Sequence, residues 1–154
     1  MANDNKYAVR KMIWDILDEK NLSLPPKPPH GRIPNFKGSD TAAKLLRITK
    51  EWINSKIIFS SPDSAQKKVR EYVLKDEKVL IMATPKLKKG YLLIDPKDTF
   101  KNEKRALTIE GAFKYGKTVK CFLKVELVIE GSVAVDSSGN RLGKGGGYGN
   151  ISSI

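Results

Sequence analysis

Two short apolar runs constrain the fold of this chain more than any other feature of its sequence. They predict strands at Lys56–Phe59 and Val79–Ala83, with an amphipathic helical pattern between them. Further strands are predicted at Tyr91–Asp95 and between Val125 and Val135, with a basic loop separating these two regions. Strands without polar alternation are typical of a parallel sheet that is buried on both faces. The sequence therefore predicts an α/β fold with helices on both faces of a mostly parallel sheet.

Three helices are predicted from apolar spacing and capping residues. The first covers residues 6–20, and the second runs from Ser39 or Asp40, either of which can cap it, to about Asn54. Ser61 caps the third helix. The positions expected to face the core are Val9, Met12, Ile13, Ile16 and Leu17 in the first helix, Ala42, Leu45, Leu46, Trp52 and Ile53 in the second, and Ala65, Val69, Tyr72 and Val73 in the third.

A proline-rich connector, Leu24–Gly31, follows the first predicted helix. Each proline removes a backbone donor and restricts the residue before it, so this segment is extended rather than helical. His30 lies within the connector. A catalytic histidine usually needs a partner that orients it, and the sequence identifies none, so we interpret His30 as a loop residue.

Composition limits the classes of function. The chain has 154 residues and a net charge of +12, spread over both halves, which favours anionic partners such as nucleotides or RNA. No apolar run reaches the roughly 20 residues that a membrane-spanning helix needs. One cysteine, Cys121, and one histidine exclude an internal disulfide and a Cys/His zinc site. We expect a cytoplasmic protein without a membrane partner.

The segment after the last predicted strand carries the most chemical information. Five glycines lie among residues 143–149, together with Lys144 and Tyr148, and Arg141 comes just before them. Glycine lets the backbone approach a ligand and turn its amides towards anionic oxygens, and the basic side chains add positive charge. This composition favours a phosphate site at the carboxyl end of a strand. The alternative is a flexible glycine-rich tail that binds nothing.

Several runs of this sequence resemble the 5-formyltetrahydrofolate cyclo-ligase (methenyltetrahydrofolate synthetase) family. They are Arg32–Gly38, Thr108–Gly116, Leu127–Asp136 and Gly139–Tyr148, and they are most similar to the archaeal-type and synthetase domain-containing branch. The resemblance implies a three-layer fold of the NagB/RpiA/CoA-transferase-like type. It also implies a ligase that uses ATP and Mg²⁺ to convert 5-formyltetrahydrofolate, a reduced folate, to 5,10-methenyltetrahydrofolate through a phosphorylated formyl intermediate.

The resemblance also assigns roles to individual residues. In the family, a lysine and an arginine four residues later help to hold ATP, and Lys6 and Arg10 have this spacing. The family's phosphate loop, Arg-Leu-Gly-x-Gly-x-Gly-Tyr, corresponds to residues 141–148. The implied catalytic residues are Arg141, Lys144 and Tyr148. The implied ATP-binding residues are Lys6, Arg10, Arg141, Gly143, Lys144, Gly145, Gly146, Gly147 and Tyr148.

The sequence departs from the family pattern at three places. Asn150 stands where other members have an aspartate that serves the metal, which makes it a weak Mg²⁺ ligand at best. Gly38 replaces the glutamate of the folate-side Glu-x-Asp-Thr motif. Relatives continue beyond residue 154 through a further helix and strand. We therefore expect a single domain over 1–154 that lacks these elements, and dimerisation through the sheet edge left exposed is a hypothesis.

Two alternatives to the enzyme follow from the same residues. The first is a non-catalytic basic module on the same fold that binds RNA or nucleotides, which the net charge of +12 and the departures above favour. The second is a shortened chain that folds but has no activity alone. Steep salt dependence of RNA binding would favour the first alternative. Formation of a methenyl chromophore that depends on ATP would favour the enzyme.

Overall fold

The computed structural model of the chain describes residues 2–120 and 124–146. The chain forms two compact units. The described residues of the first unit are 2–39, 63–65 and 131–146, and those of the second lie within 40–62 and 66–130. The expectation of a single domain over 1–154 stays a prediction.

The described part of the chain contains six α-helices and nine short strands. The helices are α1 (Ala2–Glu19), α2 (Ser39–Arg47), α3 (Lys50–Asn54), α4 (Lys67–Lys75), α5 (Glu103–Ala106) and α6 (Ile109–Tyr115), and single 3₁₀ turns cover Ser64–Gln66, Pro85–Leu87 and Pro96–Thr99. The strands are β1 (Ser23–Leu24), β2 (Asn35–Phe36), β3 (Ile57–Ser60), β4 (Val79–Ala83), β5 (Tyr91–Ile94), β6 (Lys117–Val119), β7 (Leu127–Ile129), β8 (Ala134–Val135) and β9 (Arg141–Leu142).

The larger unit is built on a mixed sheet. Among the described residues this sheet has five strands in the order β6-β5-β4-β3-β7. β3 pairs in parallel with both β4 and β7, so that Ile58 lies opposite Leu80 on one side and Leu127 on the other. β5 is antiparallel to β4 and to β6. All strands but β5 therefore run in one direction, which confirms the prediction of an α/β fold with a mostly parallel sheet.

Alternating side chains of the central strands enter two apolar clusters. Leu80 and Met82 of β4 belong to the larger cluster, which residues of α2 to α6 complete. Ile81 and Ala83 belong to the second cluster, where Leu87 packs against them. Both faces of β4 are thus buried, which explains why its sequence lacks polar alternation.

The second predicted helix is divided in two. Thr49 lies between the end of α2 at Arg47 and the start of α3 at Lys50. Its hydroxyl donates to the carbonyl of Leu46 at 2.7 Å and, as the N-cap of α3, accepts from the amide of Trp52 at 3.3 Å. The break changes which side chains face inwards. Trp52 is buried as predicted and Leu46 is half-buried, but Ala42, Leu45 and Ile53 are exposed, and Ala43 is buried in their place.

The apolar stripe predicted for the first helix is also partly wrong. Val9, Met12 and Ile16 are exposed, and Ile13 and Leu17 are half-buried. The buried residue of α1 is Trp14, which is 5% exposed. Its indole Nε1 donates to the carbonyl of Arg32 at 3.1 Å. Arg32 directly follows the proline connector, so Trp14, and not the predicted apolar stripe, contacts this part of the chain.

Other differences concern short elements. The third predicted helix begins with the 3₁₀ turn at Ser64 and not at Ser61, although all four of its predicted core residues are buried. The predicted basic loop contains α5, α6 and β6.

None of the described helices combines the length and apolar character that crossing a membrane requires.

A charged cluster joins α2, α3 and the end of α4. The guanidinium of Arg47 makes a two-pronged contact with the carboxylate of Asp76, and Trp52 Nε1 donates to the same carboxylate at 2.8 Å. Burial by itself raises the pKa of Asp76, but the hydrogen bonds from Arg47 and Trp52 outweigh burial, and the pKa lies below its ordinary value. The ionised carboxylate therefore stabilises the folded state.

Replacing Asp76 with asparagine is expected to lower the free energy of unfolding at pH 7 by about 1–2 kcal/mol, because a charge-assisted hydrogen bond is lost. A depressed folded pKa stabilises above the pKa of an unfolded aspartate, about 3.9, and this stabilisation disappears as pH falls through the folded pKa. Urea unfolding at pH 7 and pH 3 should show a smaller difference at pH 3. Asp98→Asn, at an exposed position, is the control, and a difference of equal size at both pH values would contradict the assignment.

Candidate functional site

Arg10 of α1 contacts the glycine-rich segment that follows β9. Its Nε donates to the carbonyl oxygen of Gly143 at 2.7 Å. Gly145, two residues further on, has a φ of +101°, and a Cβ at this position would lie 3.5 Å from the guanidinium carbon of Arg10. The space would accept a methyl group, so the backbone conformation rather than crowding requires glycine here. The segment thus folds back over the Arg10 side chain.

A tight turn between β8 and β9 fixes where this segment begins. One carboxylate oxygen of Asp136 accepts the amides of Ser138 and Asn140, each at 2.9 Å, and the other accepts the side-chain amide of Asn140 at 2.8 Å. Gly139 completes the turn with a φ of +83°. The hydrogen bonds from the side chain and the backbone of Asn140 hold the pKa of Asp136 below its ordinary value. The ionised aspartate therefore holds the hairpin closed at neutral pH.

A cleft of about 610 Å³ opens beside Arg10 within the smaller unit. Its walls come from one face of α1, from the end of the proline connector and from the glycine-rich segment. Positive charge predominates on these walls. The lining residues are Tyr7, Arg10, Lys11, Trp14, Asp15, His30, Gly31, Lys144 and Gly145.

Asp15 links two of the ionisable side chains in the cleft. One carboxylate oxygen lies 2.7 Å from Nε2 of His30, and the other accepts from Nζ of Lys11 at 2.6 Å. The hydrogen bond to His30, followed by the one to Lys11, lowers the pKa of Asp15. His30 lies in a turn, as its interpretation as a loop residue predicts, and the fold also gives this histidine an orienting partner that the sequence did not identify.

The structure brings some of the predicted site residues together. Arg10, Lys144 and Gly145 line the cleft, and Gly143 contributes its carbonyl to the contact with Arg10. Arg10 is far from the other three in sequence, and only the resemblance to a family indicated that it belongs to the same site as the glycine-rich segment. The pairing of Asp15 with His30 was missed, because the residues between them gave no sign that the chain returns to α1.

Other predicted site residues lie elsewhere. Lys6 and Gly146 are exposed and do not line the cleft. Arg141 is also outside its lining, and its Nη1 donates to the carbonyl of Gly131 at 3.1 Å. This bond ties the start of β9 to the segment that precedes β8. Four residues that carry notable sequence predictions lie outside the described part of the chain: Cys121, Gly147, Tyr148 and Asn150.

The donor set of the cleft suits a phosphate group better than a bare metal ion. Arg10 and Lys144 are cationic donors, and glycine backbone lies between and beside them. Arginine and lysine hold phosphate oxygens through charge-assisted hydrogen bonds. Within residues 2–120 and 124–146, no group of three or more His, Cys, Asp or Glu side chains could hold a metal.

The sequence model of the 5-formyltetrahydrofolate cyclo-ligase family matches residues 2–153. Methenyltetrahydrofolate synthase domain-containing proteins are similar to this chain over nearly all of it: that of Bos taurus is 36% identical over 97% of the chain and 41% of the relative. The Danio rerio protein is 35% identical over 94% of the chain and 39% of the relative. The Homo sapiens protein is 33% identical, with shares of 96% and 40%.

The chain spans about two fifths of the length of these relatives. The match to the family model nevertheless covers almost every residue, including α1, the sheet and the glycine-rich segment. The resemblance seen in the sequence is thereby confirmed. The chain belongs to the 5-formyltetrahydrofolate cyclo-ligase family.

Proposed function

We propose that this chain is a ligase that uses ATP and Mg²⁺ to convert 5-formyltetrahydrofolate to 5,10-methenyltetrahydrofolate, with release of ADP and phosphate. Membership of the cyclo-ligase family supports the reaction class. The observation that carries the proposal for this chain is the cleft in which Arg10 and Lys144 lie beside a glycine-rich segment. These groups match the charge and the hydrogen-bonding needs of a polyphosphate.

Arg10 and Lys144 would divide the work of holding phosphate oxygens. Nε of Arg10 is engaged by the carbonyl of Gly143, so this bond fixes the guanidinium while its other nitrogens remain as donors in the cleft. Lys144 is exposed, and its ammonium group can follow the charge of a ligand. A fixed arginine and an adaptable lysine therefore orient the phosphate chain and neutralise its charge.

ATP supplies a phosphoryl group that turns the formyl oxygen of the folate into a leaving group. The chain's own contribution is to bring the reactants together and to stabilise negative charge around the transferring group. Arg10 and Lys144 provide that charge. We extend the proposal to Lys6, Arg141, Gly146, Gly147 and Tyr148 as further contacts to the nucleotide, and to the amide oxygen of Asn150 as a weak Mg²⁺ ligand.

The replacement Lys144→Gln tests the proposed nucleotide site. It removes one charge-assisted hydrogen bond, worth about 1.5–3 kcal/mol, so the affinity for Mg·ATP should fall roughly 10- to 150-fold. Calorimetry measures the affinity, and the absorbance of the methenyl product measures the reaction. Lys27→Gln is the control: Lys27 is exposed on the proline connector, outside the cleft, where its Nζ donates to Asn21 at 3.3 Å.

Two results would contradict the proposal. Equal Mg·ATP affinity of the Lys144 variant and the control would remove the cleft from nucleotide binding. Mg·ATP binding without any product from 5-formyltetrahydrofolate would leave a nucleotide-binding module and no cyclo-ligase. RNA binding, dimerisation through a sheet edge and a cytoplasmic location stay predictions, since they rest on composition and on the family pattern alone.

A further inference from the structure

We propose that His30 is a further contact to the phosphate group bound in this cleft, and that binding adds a proton to its Nδ1. The inference rests on the proposed nucleotide site, and it extends that site by an ionisable residue. It assigns the Asp15–His30 pair to ligand binding rather than to structure alone. The ligand class is a phosphate-bearing anion, of which inorganic pyrophosphate is the simplest probe.

The partner of His30 determines which ring nitrogen is free to act. Nε2 lies 2.7 Å from an oxygen of Asp15, and an ionised carboxylate can only accept a hydrogen bond. Nε2 therefore carries a hydrogen in both charge states of the ring, and protonation changes Nδ1. Within the described residues no hydrogen-bond partner of Nδ1 is found, and His30 lines the cleft. Nδ1 is thus available to a ligand.

The ring is also held in place by its neighbours. Trp14 is buried, its ring centroid is 6.0 Å from that of His30, and its Nε1 donates to the carbonyl of Arg32. Arg32 Nε in turn donates to the carbonyl of Pro28 at 3.1 Å, and Pro29 is fully buried. The histidine therefore stands on a fixed stretch of the connector. A contact that is positioned before binding costs less entropy to form.

The charges of the cleft connect protonation with anion binding. The groups that share the cleft with His30 are the cations Arg10, Lys11 and Lys144, the carboxylate Asp15 and the phenol of Tyr7. A bound phosphate offsets the surplus of positive charge and offers an acceptor to an Nδ1 hydrogen. Because coupling between two binding events is reciprocal, a phosphate that favours the proton is itself bound more tightly by the protonated ring.

The single histidine of the chain makes the first test possible without a variant. Imidazole NMR signals of a tag-free, ¹⁵N-labelled protein are recorded at pH 7 while inorganic pyrophosphate is added. We expect the ring signals to move towards those of the protonated form, with the larger change at Nδ1. Signals that do not move when calorimetry shows the site to be saturated would overturn the inference.

A second test measures protons directly. Calorimetry of pyrophosphate binding in two buffers with different ionisation enthalpies gives the number of protons taken up. We expect net proton uptake for the unchanged protein and close to none for His30→Gln, with affinity reduced about five- to tenfold by the loss of one hydrogen bond. Lys27→Gln, which removes a charge from the same connector but not from the cleft, should keep both values.

The outcomes separate this inference from the proposed function. If the unchanged protein binds neither pyrophosphate nor Mg·ATP, both are overturned. If it binds them without proton uptake and without a change of the imidazole signals, the nucleotide site stands and the role of His30 fails. A purely structural role predicts that His30→Gln lowers the melting temperature but leaves the number of protons unchanged.

Discussion

Replacing Gly111 with alanine is expected to destabilise the chain by about 3 kcal/mol or more, at the upper end of what overpacking costs. A Cβ at this position would lie 1.7 Å from the carbonyl oxygen of Arg105 and 2.6 Å from its carbonyl carbon. These are backbone atoms, which cannot rotate away as a side chain can. The helices α5 and α6 would have to separate, and Ala106 and Ala112, both fully buried, would lose their packing.

Hydrogen bonds of the Thr108 side chain hold Arg105 and Gly111 close together, so the backbone has little room to move apart at this position. The hydroxyl of Thr108 donates to the same Arg105 carbonyl at 2.9 Å and accepts from the amide of Gly111 at 2.9 Å. Urea unfolding of Gly111→Ala measures the loss. Lys114→Ala, on an exposed position of the same helix, is the matched control and should change stability by less than about 0.5 kcal/mol. Equal stability of the two variants would show that α5 and α6 do not meet in this way.

The second large effect is expected for Arg10→Ala, which should weaken Mg·ATP binding by about 2–3 kcal/mol, or roughly 30- to 150-fold. This replacement removes a cation from the cleft and also the Nε bond to the carbonyl of Gly143. Calorimetry gives the affinity. Arg10→Lys should recover only part of the loss, since lysine keeps the charge but cannot hold the carbonyl and fork towards a ligand at once.

Lys6, a neighbouring basic residue on α1, serves as a comparison for Arg10. Lys6 lies one turn earlier on α1, is exposed and does not line the cleft, so Lys6→Ala should change the affinity far less than Arg10→Ala. The family pattern alone treats the two positions as equals. If both variants lost affinity to the same extent, Lys6 would contribute as much to the nucleotide site as Arg10, and the cleft lining would not mark the limits of that site.

The sequence predicted the fold well where burial on both faces leaves a local signature. β4 has the predicted bounds, because a central strand of a parallel sheet is apolar at every position. The break between α2 and α3 was missed, since a threonine within an apolar pattern can either continue a helix or cap a new one. α5 and α6, of four and seven residues, are too short for helical spacing to be recognised.

The candidate site could be predicted only in part, and its prediction did not depend on local burial patterns. Lys144 was found from the basic, glycine-rich composition of its segment, whereas Arg10 was found through the resemblance to a family pattern, which carries information about distant contacts. The pairing of Asp15 with His30 depends on how the proline connector returns to α1, and a connector without periodicity gives no sign of its path. The exposed faces of α1 and α2 show the same limit, because an apolar stripe indicates a partner but not where the partner lies.

The hydrogen bond between Arg10 and Gly143 joins residues that are 133 positions apart. On the ribosome, α1 emerges before the glycine-rich segment, and at roughly 5–20 residues per second that segment follows on the order of ten seconds later. During that interval Arg10 lacks the carbonyl of Gly143 as a partner. The anion cleft therefore cannot guide early folding of the nascent chain. The cleft forms only after both α1 and the glycine-rich segment have been synthesised, so ligand binding indicates that these two segments have packed together.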